Sequence, residues 1–224
     1  MKVTYQTASL ADAERGIRIY NQGLYGYVKN PDLDDRARVM FEGGLGSTIQ
    51  EILRQVEFIG KDYGGAAGFK AAYSLAPEIA RDMLANRTAY VQAIQSAQPI
   101  LLGLPSRGAM QTLYRPFVKE IHGKRNWLVW GNKFWHHLKP DAFPIEDRFV
   151  DGFFQITDSP SVDKYMKFLQ RFRSFVLARR DWVPSMRRID GNVDSVPCSE
   201  NKLWDKMFYG LGDESQNRKC ASAS

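Results

Sequence analysis

From Ser161 to Arg180 an apolar residue recurs every third or fourth position: Tyr165, Phe168, Leu169, Phe172, Phe175 and Val176. That period puts all six side chains on one face of a helix and is incompatible with the two-residue alternation of a strand. A helix with such a face must bury it against other elements. The same period recurs along most of the chain. It predicts helices over about 10–21, from Asp34, from Thr48, over 78–96, over 108–121, from Trp127, from Ile145 and over a closing run 201–212. No internal repeat and no strand–helix alternation interrupts it. The expected class is therefore all-α, as a compact bundle or as two helical lobes with a groove.

Breaks in the period mark the organisation. Pro99 and the run LLGLPSRG after it make 99–108 the candidate lobe boundary inside a single helical domain spanning 1–212. Residues 213–224 are small and polar and are expected to form a disordered tail. Pro116 must start a new turn or kink its helix. Ser9 is placed to cap the first helix.

Charge and motif content narrow the function. The chain of 224 residues carries a net charge of +6, compatible either with a polyanionic partner such as DNA or with a solvated basic surface. Cys198 and Cys220 form neither a disulfide framework nor a metal motif. His136 and His137 are adjacent, so they point to different faces of a helix, and His122 is not at ligand spacing from them. No nucleotide-loop, nucleophile-elbow or zinc-protease motif occurs, and no cofactor is expected. The opening residues lack an apolar signal segment, and no run reaches the ~18 apolar residues of a membrane span. A cytoplasmic protein without membrane contact is expected; no protein partner is indicated.

The densest chemistry lies between Trp127 and Asp151, which holds three of the five Trp and two of the three His. Trp127, Trp130, Phe134 and Leu138 share one helical face, and Pro140 and Pro144 end that helix in a turn. Asp147 then falls in the first turn of the next helix. A carboxylate there can act as a base or steady a developing cation. It can equally bond Arg148 or a free backbone amide. Lys133 sits among aromatics, where an amine can become a nucleophile or extend its head to solvent.

Basic residues supply candidate phosphate contacts. Lys164, Lys167, Arg171, Arg173, Arg179 and Arg180 lie on the face of the 161–180 helix opposite its apolar residues, and Lys124 and Arg125 form a basic turn. Such a stripe also serves as a solvated surface whose stems cover the core. Tyr20, Tyr25 and Tyr27 could stack on bases or pack over the core. The Gly43-Gly44-Leu45-Gly46 loop opens onto a helix start whose free amides could bind an anion, or is a plain helix connection.

The segment GNKFWHHLKPDAFPIEDRFVD resembles a motif of small bacterial all-helical proteins, in which a Ser-Lys pair, a Leu-His-Phe run, a Pro and Phe-Pro-Ile-Tyr-Asp follow in order. Lys133, His136, Pro140, Phe143, Pro144, Ile145 and Asp147 occupy the matching positions; Asn132 stands at the Ser and Glu146 at the Tyr. The ending Leu203-Trp204-Asp205 with Gly210 is similar too. More distantly, the order Gly, Lys, helix, Lys-Pro, Pro, Asp resembles the helix-hairpin-helix DNA glycosylases. That resemblance implies a hydrolase or lyase of base excision or defence. Lys133 would attack the sugar carbon and Asp147 would assist, with DNA held by Lys124, Arg125, Lys164, Lys167, Arg171, Arg179 and Arg180. The other classes open to the sequence are a non-catalytic helical interaction module and a small-molecule or nucleotide enzyme using the same groove.

Overall fold

The computed structural model describes residues 3–22, 32–63, 74–118, 127–191 and 199–221, without the side chains of 32–35, 62–63, 148 and 213–221. Lys124, Arg125, His122, Tyr25, Tyr27 and Cys198 lie outside the described residues, as does the side chain of Cys220. Eleven α-helices and no strand occur among the described residues, so the all-α class is what the chain adopts. They are α1 (Leu10–Gln22), α2 (Asp32–Phe41), α3 (Ile49–Phe58), α4 (Ala76–Ala85), α5 (Arg87–Ser96) and α6 (Arg107–Tyr114). After these come α7 (Leu128–Leu138), α8 (Arg148–Phe154), α9 (Val162–Leu177), α10 (Val183–Asp190) and α11 (Glu200–Ala221).

Contacts divide the chain into two units. The first gathers 1–30, 144–158 and 167–224; the second gathers 31–143 and 159–166. Residues 99–108, the expected boundary, lie inside the second unit.

In the second unit the core forms around α7. Trp130, Phe134 and Trp135 are fully buried there, with Phe41, Ile52, Val56, Met83 and Phe117 also in the core. Phe134 meets Trp135 edge-on at 4.9 Å and Phe41 at 5.4 Å, geometries that suit the ring quadrupoles. The buried Trp130 indole donates to Val56 O at 3.2 Å. Gly131 is required by packing, because a Cβ there would lie 2.8 Å from the Phe117 ring. The helix expected over 78–96 is broken at Asn86, whose side chain donates back to Asp82 O at 2.9 Å and competes with the helix ladder. Pro116 starts a 3₁₀ turn, Arg115–Phe117, rather than kinking a continuous helix.

The first unit is built on α11. Asn201, Leu203, Trp204, Asp205, Lys206, Met207, Phe208 and Leu211 are all buried, so over 201–211 this helix is enclosed on nearly every side. Phe153, Phe154, Phe175 and Phe208 pack at centroid distances of 4.7–5.9 Å. Glycine commonly follows a helix end, yet α11 runs through Gly210 and Gly212 to Ala221, and the expected disordered tail is helical over 213–221. The reason is contact. A Cβ on Gly210 would lie 1.9 Å from Gly16 O, and one on Gly16 would lie 2.5 Å from Met207 O. The backbones of α1 and α11 therefore touch, which only glycine permits. Gly212 makes room for Phe149 in the same way, at 2.5 Å from its Cβ.

One buried ion pair completes this unit. Lys206 Nζ, with no exposure, lies 2.9 Å and 3.1 Å from the two oxygens of Asp190. Asn21 Nδ2 donates to Asp190 Oδ1 at 3.1 Å, so α1, α10 and α11 meet at one carboxylate.

Candidate functional site

The central stretch is positioned by its own polar side chains. His136 is 4 % exposed, and its Nδ1 lies 2.9 Å from Phe143 O, a distance at which the ring N–H donates across the proline turn. His137 stacks on Phe41 at 5.5 Å. Lys139 Nζ donates to Ile94 O at 2.9 Å and Gln95 O at 3.3 Å, the open carbonyls at the end of α5. Asp147 is the N-cap of α8: its Oδ1 accepts from Phe149 N at 2.8 Å and Val150 N at 3.1 Å. It thus precedes the helix rather than lying in its first turn. Lys133 is half-buried on α7 between the fully buried Asn132 and Phe134. Lys133 belongs to the second unit and Asp147 to the first.

At the Gly43–Gly46 loop the anion position is filled from within. Glu51 Oε2 accepts from Ser47 N at 2.7 Å and Thr48 N at 3.1 Å, closing a capping box with Thr48 at the start of α3. The Ser47 amide, then the hydroxyls and the Thr48 amide, hold the Glu51 carboxyl below its ordinary value. Gln55 and Arg87 fix the loop carbonyls: Gln55 Nε2 reaches Gly44 O at 2.7 Å and Arg87 Nε reaches Gly46 O at 2.7 Å.

The basic residues of α9 take several different places. Lys164 is 8 % exposed and in the second unit, so it is not on the solvent face expected of it. Lys167 pairs with Asp158 at 2.8 Å, a bond that lowers the carboxyl's pKa. Arg180 is exposed beyond the helix, 3.9 Å from Glu200. Arg171 Nη1 donates to Phe154 O at 2.6 Å and Gln155 O at 3.2 Å, and its guanidinium lies 5.7 Å from the Tyr5 ring. Arg179 Nη2 donates to Tyr5 O at 3.3 Å, with its guanidinium 4.2 Å from the Phe175 ring and 5.2 Å from the Trp182 ring. Burial lowers the Arg179 pKa from its ordinary value, and guanidinium stays charged throughout the working range.

Arg171 and Arg179 meet in one open groove of about 400 Å³ in the first unit. Its other walls are Tyr5, Gln6, Gln170, Ser174 and Phe175. Tyr5 is brought there by its backbone, whose N–H donates to Phe153 O at 3.0 Å at the end of α8. The two arginines bond carbonyls and lie against rings, which uses only some of their five donors each, and Asp158 and Asp181 act on their charge from a distance. Among the described residues no carboxylate, His, Cys or Lys lines the groove. Its chemistry is that of an anion receptor with an aromatic wall. The sequence stripe found the arginines; Tyr5 and Gln6, more than 160 positions away, had no sequence signal linking them to it.

No group of three or more His, Cys, Asp or Glu side chains able to hold a metal occurs among the described residues, and no described helix is long and apolar enough to cross a membrane. Comparison with protein-family models, curated proteins and solved structures finds no match for this chain.

Proposed function

We propose that the chain is a nucleic-acid-binding protein whose contact surface is the arginine groove of the first unit and the basic residues beside it. The observation that carries the reading is that Arg171 and Arg179 line one groove and bond backbone carbonyls there, with Asp158 and Asp181 acting on them only from beyond ion-pair distance. A phosphate oxygen supplies the negative charge that carbonyls and rings do not. The net charge of +6 favours association with a polyanion.

The test is fluorescence anisotropy of labelled DNA and RNA, single- and double-stranded, from about 50 to about 200 mM salt. Affinity is expected to fall steeply with salt, with a slope of about 0.7–0.9 per phosphate contacted. Ser174 is exposed on α9, and Ser174→Glu sets a carboxylate into the groove with little risk to the fold. That variant is expected to lose at least about tenfold in affinity and about one unit of salt slope. Absence of binding at low salt, or a Ser174→Glu variant that binds like the parent, overturns the reading. Borohydride trapping on an abasic duplex, with Lys133→Ala beside it, tests the lysine chemistry implied by the glycosylase resemblance.

A further inference from the structure

Resting on the nucleic-acid reading, we infer that the groove takes one unpaired nucleotide of a single strand, its phosphate on Arg171 and Arg179 and its base against Tyr5. Three observations carry this. The groove volume of about 400 Å³ is the size of a small-molecule site. Such sites run from about 300 to about 1,000 Å³, room for a nucleotide and not for a duplex. Its wall is mixed: two guanidiniums, the half-exposed ring of Tyr5, and the side-chain amides of Gln6 and Gln170, both exposed. A cationic groove with an aromatic platform is the arrangement that holds single strands, because every base offers a ring face whatever its sequence. Third, Tyr5 is half-buried at the groove wall, with the Arg171 guanidinium 5.7 Å from its ring. Its main chain is held by Phe153 O and by Arg179, and Phe154 supports the ring at a centroid distance of 5.8 Å.

Ser174 and the glutamines complete the chemistry. Ser174 lies on α9 one turn from Arg171, where its hydroxyl adds a donor for phosphate. Gln6 and Gln170 each carry a donor and an acceptor, enough to bond a base edge without selecting one base. The groove therefore discriminates strandedness more than sequence.

The experiment compares an oligothymidylate single strand with a duplex of equal length, for the parent chain, Tyr5→Leu, Tyr5→Phe and Ser174→Glu. The single strand is expected to bind at least about tenfold tighter than the duplex. Tyr5→Leu is expected to lose about tenfold or more for the single strand alone, with its salt slope unchanged, since one base stack is removed and no phosphate contact. Tyr5→Phe keeps the ring and is expected to restore binding, which separates stacking from any effect on folding. Ser174→Glu weakens both forms. Equal or tighter duplex binding, or a Tyr5→Leu variant that holds the single strand as before, sinks the inference while leaving the nucleic-acid reading in place. Failure of both strand forms to bind removes that reading and the inference with it.

Discussion

At the scale of the residue, Asp147 separates two meanings of a carboxylate beside a proline turn. Its Oδ1 accepts the Phe149 and Val150 amides, and this bonding defines the start of α8. Asp147→Ala is expected to cost about 1–2 kcal/mol of stability in a urea unfolding series, whereas Asp147→Asn keeps the acceptor and stays near the parent. A catalytic role would instead make both changes equal in an activity assay. The sequence placed this carboxylate at a helix start, because cap chemistry is local, but set that start at Ile145, three residues before the observed first residue Arg148. It gave no sign of the Lys206–Asp190 pair, whose partners sit sixteen positions apart on different helices. Such a pair is legible only once α10 and α11 are packed. Glu51 carries a pH prediction. Its folded pKa is lowered, so its contribution is present above the unfolded carboxylate value and is lost as pH falls through the folded value. Glu51→Gln is expected to shift the urea midpoint at neutral pH and to match the parent in acid below both titrations.

At the scale of the element, glycine decided where sequence reading and structure part. Gly131, inside α7, is tolerated because the Phe117 ring needs its place. Gly210 is of the residue type that commonly follows helix ends. In α11 it is instead a contact point, since a Cβ would lie 1.9 Å from Gly16 O. Gly210→Ala is expected to destabilise the first unit by about 3 kcal/mol, at the upper end of overpacking costs, as read from a denaturant midpoint. Gly108 is the control: nothing lies within 4 Å of a Cβ there, and Gly108→Ala in α6 is expected to be neutral or to stabilise by up to about 1 kcal/mol. Two glycines of equal sequence appearance thus differ in sign. The apolar face of α9 was readable in full, because its period is strict. The fate of its basic residues was not, since burial of Lys164 and capping by Arg171 depend on what packs beside the helix.

At the scale of the molecule, the helical class was legible from period alone, while the division into units was not. The break expected at 99–108 rested on prolines and glycines, yet the divisions fall after Phe143, Asp158 and Met166, and before Pro31. The last change of unit occurs inside α9, where the hydrophobic period runs on unbroken and so carries no mark. The discontinuity has a consequence for synthesis. The second unit is nearly contiguous and is complete once Met166 has been made. The first unit includes α1, but the helix that α1 must touch through Gly16 follows almost 200 residues later. At about 5–20 residues per second, roughly 200 residues and on the order of ten to forty seconds separate the two halves of that contact. Throughout that interval Gly16 lacks the α11 backbone that it meets in the folded unit. Folding of this unit therefore waits on one of the most distant contacts in the chain, and α1 stays without its backbone neighbour until α11 follows.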